Sequence, residues 1–319
     1  MSHILLILSA KDEVLMQQRW NRRQALAGLA FALDLPAQRQ TFMTTDYIDA
    51  HVHVWKPADA LFPYDPHYSG PAAAPITFTP ENLLAITETV AVKRIVLVQM
   101  SFYGTDNSYM LDAMKRHRSV FSGIAVVDED AASLAVEMAR LASLGVRGFR
   151  ITQGNRPAGW LETANMREMW HLAAEMKLAI CPLVGPDAIP ALDRMCAEFT
   201  GTTLVIDHMA RIGMDGKLRN QDVSSLCKLS RHLRVHVKVS AFYALGKKQS
   251  PYSDLAPLVH ALYDAYGPRR LMWGSDSPFQ VQPPYTYAES LEFVRNRLPF
   301  LSLEDKEWIL RKSAEMVFF

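Results

Sequence analysis

Tyr47-Ile48-Asp49-Ala50-His51-Val52-His53-Val54 is the stretch whose reading decides the fold. Apolar and polar residues alternate along it, the period-two pattern of a strand. Residues two apart on a strand face the same side, so His51 and His53 point together. Two imidazoles so placed can share a metal ion or flank a substrate oxygen. The plainer alternative is a pair of partnered core histidines. Position separates the two, because parallel-barrel enzymes concentrate their chemistry at strand ends, and this pair ends its strand.

Beyond this strand, apolar runs alternate with amphipathic stretches to the end of the chain. Further strands are predicted over 94–99, 121–127, 146–151, 178–183, 203–207, 235–239 and 270–273. Helices are predicted over 80–90, 107–116, 131–144, 164–176, 188–199, 221–231, 254–266 and 287–297. Pro80 and Pro190 fall near helix starts, where a missing N–H costs least. Gly145 and Gly201 follow helices, as C-terminal caps do. Short apolar strands separated by helices indicate a parallel sheet covered on both faces. The right-handed crossover rule then leaves a closed barrel or a doubly wound sheet. No glycine-rich phosphate loop follows the first strand, which weighs against a dinucleotide fold. The expected fold is therefore α/β, a (β/α)8 TIM barrel, as one domain over residues 43–319.

Composition agrees. The 319 residues exceed the roughly 250 that such a barrel needs. A 49% hydrophobic share supports a large core, and 21% charged residues argue against disorder. The net charge of +1 offers no overall field for nucleic acid or an anionic membrane, so an anionic ligand must be met by local charges. Three cysteines, Cys181, Cys196 and Cys227, show neither metal-ligand spacing nor an even count for a disulfide framework. No apolar run of about 20 residues suggests a membrane span. Residues 1–42 stand apart. Arg22-Arg23 before the short apolar run 24–33 resembles a twin-arginine export signal, which would make the protein periplasmic. The run is short and lacks a clear cleavage site, so the expectation is an extension on a cytoplasmic enzyme that begins at Met43.

Three further groups sit at predicted strand ends. Asp207-His208 follows the Leu-Val-Ile strand. Trp273-Gly274-Ser275-Asp276-Ser277-Pro278-Phe279 closes the last strand and presents Asp276 on a turn. A carboxylate there can take a proton from water; alone it could equally be a helix cap. Arginines form the third group: Arg150 ends the fourth strand, Arg156 follows on its loop, and Arg211 lies three residues after His208. Clustered guanidinium groups suit bidentate binding of a carboxylate or sulfonate. Arg147 alternates to the other face of its strand and reads as structural.

These motifs, His-Val-His, Ser101-Phe102-Tyr103-Gly104-Thr105-Asp106-Asn107, Gly-Val-Arg-Gly-Phe-Arg, Val-Ile-Asp-His-Met-Ala-Arg and Trp-Gly-Ser-Asp, resemble the amidohydrolase-2 family. Within it the likeness is to the lactonase branch, which opens pyrone-dicarboxylate, sugar and sulfomuconolactone rings. It covers about Asp46 to the C-terminus. The resemblance implies lactone hydrolysis, with Asp276 as general base and His51, His53 and His208 facing the carbonyl or holding the water. It implies substrate-binding roles for Ser101, Tyr68, Arg150 and Arg156. Three departures stand out: Ser277 where the family often has Trp or Tyr, no arginine within 240–245, and no aromatic near Cys181. A second substrate carboxylate would then be poorly held.

Binuclear relatives need a bridging Lys or Glu and a further His from the fourth and fifth strands, which 146–151 and 178–183 do not supply at their ends. A single divalent ion such as zinc on His51, His53 and Asp276 is possible, but no metal is expected to be essential. The alternative function is a metal-dependent decarboxylase on the same scaffold, acting on an aromatic or muconate-type carboxylate. A barrel that only binds a small molecule is the non-enzymatic alternative. No expectation for the oligomeric state follows.

Overall fold

The structure, a computed structural model, describes residues 46–319 apart from 154, 155 and 158. The expectations for residues 1–42 and for a start at Met43 lie outside the described residues.

Eight strands form one parallel sheet in sequence order. They are β1 (Tyr47–Val52), β2 (Val92–Val98), β3 (Phe121–Ala125), β4 (Val146–Thr152), β5 (Ala179–Leu183), β6 (Thr203–Ile206), β7 (Val235–Ser240) and β8 (Leu271–Gly274). Each of the predicted strands is present, with shifted ends. The first predicted strand runs to 54, whereas β1 stops at Val52 and His53 lies just past it. Helices separate the strands, so the architecture is a (β/α)8 barrel.

Closure occurs just beyond β8. The Asp276 N–H donates to the His51 carbonyl at 2.8 Å, and the His53 N–H donates to the Ser277 carbonyl at 2.8 Å. Only glycine allows the final approach at position 274, because a Cβ there would lie 2.9 Å from the His51 Cβ. The buried Asp49 carboxylate ties the seam. It accepts from the His51 N–H at 3.0 Å, the Ser275 N–H at 2.8 Å and the Tyr287 hydroxyl at 2.6 Å. The hydrogen bonds that close the barrel thus also bring Asp276 beside the His51–His53 pair.

Two apolar layers hold the fold. One lies between strands and helices and includes Phe149, Trp170 and Trp273. The other fills the barrel with Ile48, Val96, Ile124, Val205 and Met272, and receives Ala314 and Phe318 from the C-terminal helix Ser313–Phe318. Sequence reading placed no helix after 297. Leu303–Glu307, a π-helical turn Trp308–Lys312 and Ser313–Phe318 occupy that stretch. The wider turn shifts the phase of the apolar residues, so a 3.6-residue period does not register across it. Among the described residues, no helix is long and apolar enough to cross a membrane.

Candidate active site

His51, His53, His208 and Asp276 converge at the C-terminal rim of the barrel, all at most 5% exposed. The Nε2 atoms of His51 and His53 are 3.2 Å apart. Asp276 Oδ1 lies 3.6 Å from His51 Nε2 and 3.3 Å from His53 Nε2. Its Oδ2 lies 3.8 Å from His208 Nε2 and accepts the Tyr243 hydroxyl at 2.7 Å. His208 Nδ1 meets Ser240 Oγ at 2.8 Å, and His53 Nδ1 meets the Val98 carbonyl at 2.7 Å.

The backbone carrying these groups is strained. His208, Met209, Ala210 and Arg211 have φ of 51°, 52°, 52° and 56°, a left-handed turn of four non-glycine residues, and Asp276 has φ 63°. Left-handed helical conformation costs roughly 1–2 kcal/mol per such residue. Burial of Met209, Ala210 and Ile212 in the core offsets part of it. The turn sends both His208 and Arg211 to one cavity, and strain of this kind gathers at functional sites.

That cavity measures about 250 Å³, near the small end of ligand pockets. Its polar wall comprises His53, Ser101, Arg150, His208, Arg211 and Asp276; Met100, Leu183, Met214 and Phe279 form much of the apolar wall. Arg150 is 8% exposed, and its buried Nε has no hydrogen-bond partner.

Two predicted binding residues lie elsewhere. Arg156 pairs with Glu129 at 2.6 Å, stacks 5.1 Å from the Trp160 ring and lines a separate cleft. The Tyr68 hydroxyl donates to the Pro71 carbonyl at 3.0 Å, and the residue is not part of the cavity lining. The carboxylate that captures Arg156, Glu129, comes from the loop after β3, which spacing along β4 does not reveal.

The structure also adds Lys238 and Tyr243, which sequence reading did not single out, and gives partners to Asp207, already marked beside His208. Asp207 and Lys238 are fully buried and 3.0 Å apart. Lys238 Nζ is 3.1 Å from His51 Nδ1, and Arg150 Nε is 3.8 Å from Asp207 Oδ2. One signal for Lys238 was available. Along β7, Val235, Val237 and Val239 alternate with His236, Lys238 and Ser240, so the polar set shares a face. Tyr243 carries no such signal, since it meets Asp276 across 33 residues of chain.

Burial, then the nearby Lys238 charge, holds the His51 pKa well below its ordinary value. Burial likewise lowers that of His208. For Asp276, burial acts upward, but the neighbouring His208, His53 and His51 outweigh it and keep the carboxyl below the ordinary carboxylate range. Near neutral pH the site is thus an ionised carboxylate beside neutral His51 and His208.

His51, His53 and Asp276 offer ligand atoms within 4.8 Å of one another, the spacing of a single divalent ion, and Asp276 Oδ1 is buried without a hydrogen-bond partner. Spacing fits such an ion; Lys238 Nζ, 3.1 Å from His51 Nδ1, bears on which ring nitrogen of His51 is free to hold it.

An amidohydrolase family profile matches residues 48–319. The chain belongs to the amidohydrolase family. Among relatives, a 4-sulfomuconolactone hydrolase of Rhizobium radiobacter is 30% identical, over 72% of this chain and 75% of that one. A 2-pyrone-4,6-dicarboxylate hydrolase of Comamonas testosteroni is 26% identical, over 85% of this chain and 90% of that one. A zinc-bound amidohydrolase structure from Burkholderia multivorans superposes with TM-score 0.74 at 21% identity, over 86% of this chain and 99% of that one, a likeness of fold. The amidohydrolase family membership agrees with the motif resemblance read from the sequence.

Proposed function

We infer that the chain opens the ring of a small lactone that carries an anionic group. One observation carries this reading. Asp276 has its Oδ2 engaged by Tyr243 while its Oδ1 is buried, ionised and unpartnered beside three imidazoles. The names of the relatives, both hydrolases of lactone rings, support the same chemistry.

Arg150 and Arg211 hold the substrate's carboxylate or sulfonate, the role that sequence reading gave to Arg150 with Arg156. Ser101, on the same wall, offers a hydroxyl to that group. A water molecule donates to Asp276 Oδ1, which takes its proton as the water oxygen attacks the carbonyl carbon. Negative charge then develops on the carbonyl oxygen, beside the imidazole rings of the site. Collapse of the tetrahedral intermediate breaks the ring C–O bond. The proton held by Asp276 passes to the departing oxygen, leaving a hydroxy acid and a restored carboxylate. No step in this sequence uses a metal.

Acid release from a lactone panel, followed with a pH indicator with and without chelator, tests the reading. Turnover is expected to survive chelation. Asp276→Asn is expected to lower kcat by roughly 10²–10⁴ and leave KM nearly unchanged. Near-normal turnover by that variant overturns the assignment. Chelator-sensitive loss of carbon dioxide from an aromatic carboxylate would favour the decarboxylase instead.

A further inference from the structure

The fully buried Lys238 has no part in the steps above, yet it touches the site. Its Nζ stands 3.1 Å from His51 Nδ1, 3.0 Å from Asp207 Oδ1 and 5.5 Å from the Phe318 ring centre. An ammonium has three donors and no lone pair, so a proton on Nδ1 would face its N–H groups. Asp207 Oδ1 is also 3.3 Å from Nδ1, but neither Asp207 oxygen has a hydrogen-bond partner of good geometry. The hydrogen bond from Lys238 is the one that geometry allows. His53 has the opposite arrangement. Its Nδ1 meets the Val98 carbonyl, which can only accept, so Nδ1 carries a proton. The His51 Nε2–H then lies 3.2 Å from His53 Nε2 and 3.6 Å from Asp276 Oδ1, two groups of the cavity wall.

We propose that Lys238 is a positioning residue that fixes His51 with its proton on Nε2. The substrate's carbonyl oxygen then meets an N–H donor there instead of a lone pair. The catalytic half of this statement rests on the lactone-hydrolase reading; the tautomer does not. Removing the donor from Nδ1 frees that nitrogen to take the proton, with Asp207 as its acceptor. The Nε2 lone pair then turns toward His53 Nε2 and Asp276 Oδ1, where it suits a divalent ion and no longer offers a proton to a carbonyl oxygen.

Nitrogen-15 NMR of labelled histidine reads the tautomer without any substrate. The expected result is Nε2–H for His51 in the wild-type chain, a shift toward Nδ1–H in Lys238→Met, and retention of Nε2–H in Lys238→Gln, whose amide still donates. If Lys238→Met fails to fold, Lys238→Met with Asp207→Asn, which removes both buried charges and keeps an oxygen that can accept from Nδ1–H, takes its place. Zinc binding, measured by titration, should tighten at least tenfold in the methionine variant. On a lactone that the wild type hydrolyses, kcat should fall at least tenfold in Lys238→Met, with KM within about twofold, and recover in part in Lys238→Gln. Nδ1–H in the wild type, an unchanged tautomer in Lys238→Met or unchanged zinc affinity overturns the proposal. Absence of lactone turnover with the expected tautomers overturns the hydrolase reading alone.

Discussion

Asp276 has two oxygens in different surroundings, and that asymmetry organises the site. Tyr243 donates to Oδ2, which holds the carboxylate in one orientation and leaves Oδ1 toward the cavity. Tyr243→Phe deletes the donor. A hydrogen bond to a charged group contributes about 1.5–3 kcal/mol, so kcat should fall roughly ten- to a hundredfold. The sign of the accompanying pH effect follows from the same bond. A carboxylate that loses a donor is protonated more readily, so the acid limb of kcat/KM should move to higher pH in Tyr243→Phe. A pH–rate profile with an unmoved limb and full kcat would contradict the role given to Tyr243. Lys238 was legible from strand alternation as an inward charge. Its contact with His51 was not, because the two are 187 residues apart.

At the scale of elements, the seam between β1 and β8 carries the proposed catalytic groups, and Asp49 is its knot. Burial raises the Asp49 pKa from 3.8 to about 6, against the opposing pull of the hydrogen bonds from Ser275, Tyr287 and His51. In the unfolded chain this carboxyl ionises at its ordinary value. From about pH 4 to about pH 6 the folded chain therefore binds a proton that the unfolded chain has released. The Asp49 contribution to stability is complete below that window and is lost as pH rises through it. Urea midpoints across the window should fall for the wild type, and Asp49→Asn should remove that part of the slope. An unchanged slope in the variant would show that Asp49 does not titrate there. The left-handed turn after β6 is the second such element. Periodicity stopped the strand correctly near Asp207, but nothing local foretold four non-glycine residues at positive φ. Core burial of Met209 and Ala210, a tertiary effect, holds them there.

At the scale of the molecule, the barrel is filled from below by its own C-terminus. Phe318 is fully buried among the interior strand residues, under the Lys238 ammonium. Phe318→Ala should cost about 3–5 kcal/mol, read as a lowered urea midpoint. If the loss were under about 1 kcal/mol, the helix Ser313–Phe318 would not be sealing the interior. The small net charge leaves the proposed anion binding to local guanidinium groups, and Arg150 and Arg211 share a cavity wall.

The alternation of strand and helix, the His51–His53 pair, and the positions of His208, Arg150 and Asp276 at strand ends were all readable from the chain. Each depends on local periodicity or on the rule that parallel strands present their C-terminal ends to one side. Tertiary structure alone decided the partners. It drew Arg156 to Glu129, Tyr243 to Asp276 and Lys238 to His51, and it set the C-terminal helix into the barrel. Such pairings depend on which side chains meet across the closed sheet, and the spacing of residues along one strand or helix carries no record of that.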